Sequence, residues 1–344
     1  MKNNFDNITR KNIHILKAIL GSRNYTAYYI LWVRFLRLLL SPLDFVLQIL
    51  EKLFLGKSTK SNPKMIFVVG PHRSGTTFIS QAIADSLPFY ALGNFNSIFF
   101  RSKYFIHKLF RRYHRSHVQG KYKNYYGVSA GLFGMGDAHE VWDQWYGDDH
   151  STVPEILTEE QTEDLQTYFS YLSAAVGKPI IIKSGRNSMF IGKLSSCFPD
   201  ALFVVVNRDM EYIVQSTIKA NEYFFGEQIA MWGLRPDFSF NPDNYDSFLE
   251  AVCQQCLQVQ ARIEEQLSLV PKDRCIKIPY SDFCADPKKY IAKVHNYVTG
   301  QMSIDVNPPP DLPKTFIKSR GAGDTKLLTE ISDMLRRITS IESK

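Results

Sequence analysis

Several things this chain has little of narrow its class. Five cysteines, at 197, 253, 256, 275 and 284, are odd in number and follow no framework spacing, which excludes a disulfide-stapled scaffold and favours a reducing compartment. Cys253-Gln-Gln-Cys256 has the spacing of half a zinc or redox site, yet no second Cys/His pair matches it, so it reads as two core cysteines on a helix. A spanning helix needs about 20 consecutive apolar residues. The greasiest stretch, residues 27–55, is interrupted by Arg34, Arg37, Asp44 and Glu51 and broken by Pro42. It reads instead as two shorter amphipathic helices, which either lie in a membrane interface or pack on the rest of the protein. No apolar leader region follows the mostly polar opening MKNNFDNITRKN, so a cytoplasmic location is expected. There is no internal repeat and no excess of acid. Lys and Arg number 41 against 34 Asp and Glu, a net charge of +7, which favours anionic ligands or an anionic surface.

What is present centres on residues 65–77, MIFVVGPHRSGTT. Met65 to Val69 form a short buried strand, Gly70 ends it, and Thr76-Thr77 open a helical pattern continued by Phe78, Ile79, Ala82 and Ile83. A glycine-bounded loop between a strand and a helix N-terminus aims several N–H groups and the helix dipole at one spot, which attracts phosphate or sulfate. A nucleotidase loop of this kind reads G-x-x-x-x-G-K-[ST]. Here Thr76 stands where the lysine belongs, and the cation sits inside the loop as Arg73. The aspartate that would hold Mg²⁺ at a neighbouring strand end is missing too: IIIKS (180–184) carries Lys183, and LFVVVNR (202–208) ends on Asn207-Arg208. This is a phosphate cradle without metal apparatus, suited to a transferred group that needs less charge neutralisation than a γ-phosphoryl, such as a sulfuryl group.

The combination resembles the sulfotransferase superfamily, whose donor is 3′-phosphoadenosine 5′-phosphosulfate (PAPS). Its phosphosulfate loop, P-[KR]-[ST]-G-T-[TS], is similar to Pro71-His72-Arg73-Ser74-Gly75-Thr76-Thr77, with His72 inserted after the proline. Its second signature, an arginine closing a strand and a serine about eight residues on, resembles Arg208 and Ser216. Its late glycine loop is similar to SRGAGDTK (319–326), with Thr325 in place of tryptophan. The resemblance implies that Arg73, Ser74, Gly75, Thr76 and Thr77 hold the 5′-phosphosulfate, that Arg208 and Ser216 hold the 3′-phosphate, and that Arg320 and Gly321 close over the nucleotide. It implies a PAPS cosubstrate, no metal, and a hydroxyl acceptor, most simply of a glycan or glycolipid. A P-loop kinase, or a non-catalytic carbohydrate- or membrane-binding relic of the fold, are the competing readings.

Sulfuryl transfer requires a base for the acceptor proton and cations along the line of attack. Arg73 and Lys183 are the candidate catalytic cations. The segment GDAHEVWDQW (136–145) offers Asp137, His139, Glu140 and Asp143, with Glu140 the chosen base and His139 its rival. Asn187 is read as a helix cap, and Tyr280 as a packing residue that shapes the loop. Residues 101–123 hold eight Lys/Arg and no acid and read either as a solvated face or as an acceptor- or lipid-facing surface; nucleic acid is not expected.

From Met65 onward, strands expected at 65–70, 89–92, 180–183, 201–207 and 274–278 alternate with helices at 75–87, 158–176, 187–198, 210–222, 245–269 and 286–299. The expected fold is α/β: a P-loop-like parallel sheet with helices on both faces and an N-terminal amphipathic helical appendage. Residues 1–62 would be that appendage and residues 63–344 the catalytic domain, with the basic stretch GKSTKSNPK (56–64) as the linker between the helical appendage and the first strand. An anionic membrane surface, on the cytoplasmic face, is the expected partner of the appendage.

Overall fold

A computed structural model describes residues 13–55, 62–114, 122, 124–226, 231–237, 239–302, 315–316 and 324–342. In chain order the strands are β1 (Met65–Val69), β2 (Tyr90–Ala91), β3 (Asn124–Tyr125), β4 (Val128–Ser129), β5 (Ile180–Lys183), β6 (Leu202–Asn207) and β7 (Cys275–Pro279). The helices are α1 (13–21), α2 (Tyr25–Phe54), α3 (Thr76–Ser86), α4 (Asn94–Ile98), α5 (Phe105–Phe110), α6 (His139–Tyr146) and α7 (Glu159–Val176). They continue with α8 (Ile191–Cys197), α9 (Met210–Phe225), α10 (Phe248–Ser268), α11 (Tyr280–Ala285), α12 (Pro287–Met302) and α13 (Thr325–Glu342).

Five strands form one parallel sheet in the order β2-β5-β1-β6-β7. The apolar runs of β1, β5 and β6 are buried on both faces, as a sheet sandwiched between helices requires. Phe67, Phe203 and Ile182 enter the core with α6, α7 and α8; Ile66, Val204 and Ile181 enter the one with α3, α11 and α12. From β1 the chain crosses to the β2 edge, and later to β6 on the other side. The crevice at their carboxyl ends is therefore a topological switch point, where sheets of this kind bind ligands.

Two expectations need correction. The break at Pro42 is absent: α2 runs unbroken for 30 residues with Pro42 inside it. An internal proline costs about 3 kcal/mol, and tertiary anchors on both sides of it offset that cost. Arg37 pairs with Glu140, and Asp44 accepts from the Arg101 and Ser102 amides at 3.2 and 3.0 Å. Two turns further on, Glu51 accepts from Ser102 Oγ and from the amides of Lys103, Tyr104 and Phe105, all at 2.6–2.8 Å. Asn187, in turn, caps no helix. It lies inside the 3₁₀ turn Arg186–Met189, buried, with neither side-chain amide atom bonded.

Beside α5, His107 and His114 are buried among Tyr90, Phe95 and Phe133. Burial pushes them down to about 3 and about 4, helped at His114 by the charge of Lys178. Both are therefore neutral when folded, whereas an unfolded histidine protonates near pH 6.5. The unfolded chain binds more protons below that pH, so these two sites lose stability as pH falls from about 6.5 toward 4, by up to about 1.4 kcal/mol per histidine per pH unit. Thermal unfolding followed from pH 7 to pH 4.5 should show a falling midpoint, and His107→Phe should flatten the slope. A midpoint independent of pH in that window would contradict the assignment.

Candidate functional site

Gly70 turns the chain out of β1 so tightly that a side chain there would meet the Val206 carbonyl at 2.5 Å, and its N–H donates to Ser188 Oγ at 3.0 Å. Arg73 then takes a left-handed conformation, φ 66°, which costs a non-glycine residue of the order of 1–2 kcal/mol. Strain of this kind persists only where its surroundings enforce it, and here they do. Arg73 Nε donates to Ser216 Oγ at 2.8 Å, and Arg208 Nη1 donates to the Arg73 carbonyl at 2.9 Å. The Arg73 guanidinium lies against the rings of Tyr126 and Trp232, 5.1 and 5.6 Å from their centroids. Burial, together with the charge of Arg208, lowers the pKa of Arg73, the signature of a cation held partly out of water.

Gly75 is the N-cap of α3 at φ 101°. A Cβ there would strike the Tyr280 ring, and the Arg208 guanidinium lies over the same ring, 4.8 Å from its centroid. Tyr280 thus sets the shape of the loop, as its sequence position implied. The first N–H groups of α3 have no intrahelical partner by construction. Ser74 is fully buried, and its Oγ has no protein hydrogen-bond partner.

A short hairpin, β3–β4, covers the loop. Its turn residues Tyr126 and Gly127 both have positive φ, 46° and 96°, the two-residue turn that matches strand twist. Tyr126 supplies the ring against Arg73. Gly127 comes so close to the site that a side chain there would meet Lys183 Nζ at 2.8 Å, Asp137 Oδ2 at 3.1 Å and Thr77 Oγ1 at 3.8 Å. Lys183, at the end of β5, donates to both Asp137 oxygens at 2.9 and 3.0 Å and to the Gly127 carbonyl at 3.3 Å. The Gly185 N–H adds a bond to Asp137 at 3.1 Å. Burial alone would raise the Asp137 pKa, but Lys183, His139 and the Gly185 amide outweigh it and hold the carboxyl below its usual range.

The rest of the 136–145 segment faces elsewhere. Glu140 pairs with Arg37 of α2. His139 stacks on His150 at 4.1 Å, its Nδ1 is buried without a partner, and burial pushes it down to about 4. Arg186, fully buried, donates to the Gly147 carbonyl at 2.7 Å and the His139 carbonyl at 3.3 Å and pairs with Asp143, tying both ends of α6 to the turn after β5. His72 packs against Trp232 and Gly233, its Nε2 3.9 Å from Cys256 Sγ. Cys253 and Cys256 are buried free thiols in α10, pushed up to about 12 by burial.

Of the sequence-derived residues, the fold therefore joins Arg73, Arg208 and Ser216 in one chain of hydrogen bonds and sets Lys183 beside Thr77. Arg320 and Gly321 lie outside the described residues. The described end of that late motif is a helix cap: Asp324 Oδ1 accepts from the Leu327 amide at 3.0 Å, opening α13. Asp137 and Tyr126 are the site residues the sequence reading did not single out. Asp137 is one of four titratable residues in 136–145, and the sequence marks Tyr126 only by a Tyr-Gly pair in NYYGVS.

The Sulfotransferase family model matches residues 63–300. No curated protein sequence matches the chain. Among solved structures, sulfotransferase STF1 from Mycobacterium tuberculosis is similar at 14% identity and a TM-score of 0.45, over 85% of this chain and 82% of that one. Sulfotransferase STF9 from Mycobacterium avium gives 14% and 0.45, over 85% and 72%. Retinol dehydratase in complex with androsterone and inactive cofactor PAP gives 11% and 0.28, over 80% and 65%.

Proposed function

Given that the chain belongs to the sulfotransferase family, we propose that it transfers a sulfuryl group from PAPS to a hydroxyl of a glycan or glycolipid, with residues 63–344 as the catalytic portion. One observation carries this reading: the Arg208–Arg73–Ser216 chain of hydrogen bonds at the N-terminus of α3. The residues present fit such a donor. Two guanidiniums, a set of free helix N-terminal amides and a buried hydroxyl without a partner, Ser74 Oγ, form a cradle for a multiply charged anion. When bound, PAPS supplies the activated sulfuryl group.

Ser74, Gly75, Thr76 and Thr77 would hold the 5′-phosphosulfate end through N–H and hydroxyl groups. Arg208 and Ser216 would hold the 3′-phosphate, with Ser216 exchanging its bond to Arg73 for one to the anion. Arg73 is then free to face the reacting oxygens. Lys183 is the second cation. For the base, the geometry favours Asp137 over Glu140 and His139. Asp137 sits with Lys183 against Gly127 and Thr77, beside the cradle, whereas Glu140 is held by Arg37.

The nucleotide assignment is tested by binding. Adenosine 3′,5′-bisphosphate should raise the unfolding temperature, and ATP with Mg²⁺ should not. Arg208→Ala and Ser216→Ala should each weaken the bisphosphate more than adenosine 5′-phosphate. A charge-assisted hydrogen bond is worth about 1.5–3 kcal/mol, so Arg208→Ala should cost about tenfold or more. Equal losses for the two nucleotides would remove the 3′-phosphate from these residues.

A further inference from the structure

Helix α2 is amphipathic in the wrong sense for a helix that merely covers a protein core. Its two acids, Asp44 and Glu51, are 0% and 2% exposed and point into the protein. Along the opposite side, Trp32, Phe35, Leu39, Leu43, Val46 and Leu50 recur every three or four residues, and each is exposed, up to 62% for Leu39. Along described residues 13–55, every charged side chain on the surface is basic: Lys17, Arg23, Arg34 and Lys52 are exposed and Arg37 is partly so. Helix α5 packs beside α2, through Val33, Ile106 and Phe110 among others, and adds exposed Lys108, Arg111 and Arg112 next to exposed Leu109 and Tyr113. No described helix is long and apolar enough to cross a membrane.

We infer that this face of α2 docks in the interface of an anionic lipid bilayer, lying flat with its apolar stripe among the acyl chains and its basic residues at the headgroups. Three observations select a bilayer over a protein partner or a second copy. The stripe from Trp32 to Leu50 is continuous along about 27 Å of helix. The charge on it is of one sign, which complements anionic headgroups but repels an identical copy. The acids that would oppose such a surface are all turned inward onto loop 101–105, where the protein itself neutralises them. Helix α1 and the start of α2 wall the candidate site. Ile15, Ala18, Ile30 and Leu31 pack with Tyr125, Tyr126 and Trp232, two of which hold Arg73. The site thus lies against the docking helix, so a membrane-borne acceptor fits the placement; the docking itself does not depend on the sulfuryl-transfer reading.

The test uses the full chain and vesicles of phosphatidylcholine with or without phosphatidylglycerol. The protein should float with the anionic vesicles and far less with the neutral ones. Phe35→Ser/Leu39→Ser/Val46→Ser should weaken partitioning by about tenfold or more, and Arg34→Glu/Lys52→Glu should remove the preference for anionic lipid. Because these groups touch no core, both variants should keep the wild-type unfolding temperature and its shift with adenosine 3′,5′-bisphosphate. Failure of wild type to float with either vesicle overturns the inference, as does flotation that the triple variant leaves intact. A dimer by light scattering that the triple variant dissociates, without vesicle binding, would assign the face to a second copy instead. Equal flotation with both vesicles would overturn the anionic assignment. Loss of the nucleotide shift in wild type, with flotation retained, would instead refute the proposed enzymatic function.

Discussion

Replacing Arg73 by alanine should lower kcat by about 10²–10³, the usual cost of removing one transition-state electrostatic donor. Three features make this the residue to test. It is the only cation within the loop itself. It holds a strained backbone conformation, φ 66°, at the switch point of the sheet. Its charge is kept partly dehydrated by Tyr126 and Trp232, and in such surroundings a charge acts more strongly on a developing anion than it does in water. Arg73→Lys keeps the charge but loses the planar fork, and with it the bond to Ser216; it should recover only part of the rate. The discriminating measurement is the separation of kcat from KM. A variant that raises KM and leaves kcat intact would make Arg73 a binding residue only.

The second large effect concerns the base. If Asp137 is the base, as proposed, Asp137→Asn keeps the shape of the side chain and removes the proton acceptor, so kcat should fall by about 10²–10⁴ while binding of adenosine 3′,5′-bisphosphate stays near wild type. Because Lys183 and the Gly185 amide hold the Asp137 carboxyl below its usual range despite burial, the acidic limb of the pH–rate profile should lie low. Lys183→Met removes the main source of that depression, so the limb should move to higher pH. That shift is a readout a purely structural ion pair would not give. Glu140→Gln and His139→Asn complete the comparison. Loss of turnover in Glu140→Gln with Asp137→Asn still active would return the role to Glu140, and would mean that its pairing with Arg37 opens when acceptor binds.

Much of the sheet and of the cradle was legible in the sequence, for a physical reason. The runs MIFVV, IIIK and LFVVVN are so uniformly apolar that only strands buried on both faces suit them, and the loop between β1 and α3 is a local motif. Arg208 and Ser216 were legible because their spacing is set by one helix. What escaped depended on contacts between residues far apart in the chain. Pro42 reads as a break because nothing local reveals that Glu140 and loop 101–105 anchor a continuous helix on either side of it. Asp137 and Glu140 are three residues apart and chemically alike. Only the placement of Lys183 on one side and Arg37 on the other separates them. The hairpin β3–β4 has two paired residues per strand, too short to register as a pattern. Asn187 reads as a cap because a helix is expected to begin there, but it lies inside a 3₁₀ turn and α8 begins only at Ile191.

The seating of α2 also sets an order of events during synthesis. Glu51 must wait for Ser102, 51 residues later in the chain, and Arg37 for Glu140, 103 residues later. At about 5–20 residues per second, α2 leaves the ribosome several seconds before the first of its partners exists. For that interval the helix is greasy on one side, and its buried acids are uncompensated on the other. The nascent chain is thus most adhesive early, while it is still tethered, and any surface that receives α2 in the finished protein is available to shelter it then. Translation near a bilayer should consequently raise the yield of folded protein over translation in free solution, with the largest gain at the temperatures where chain growth is slowest.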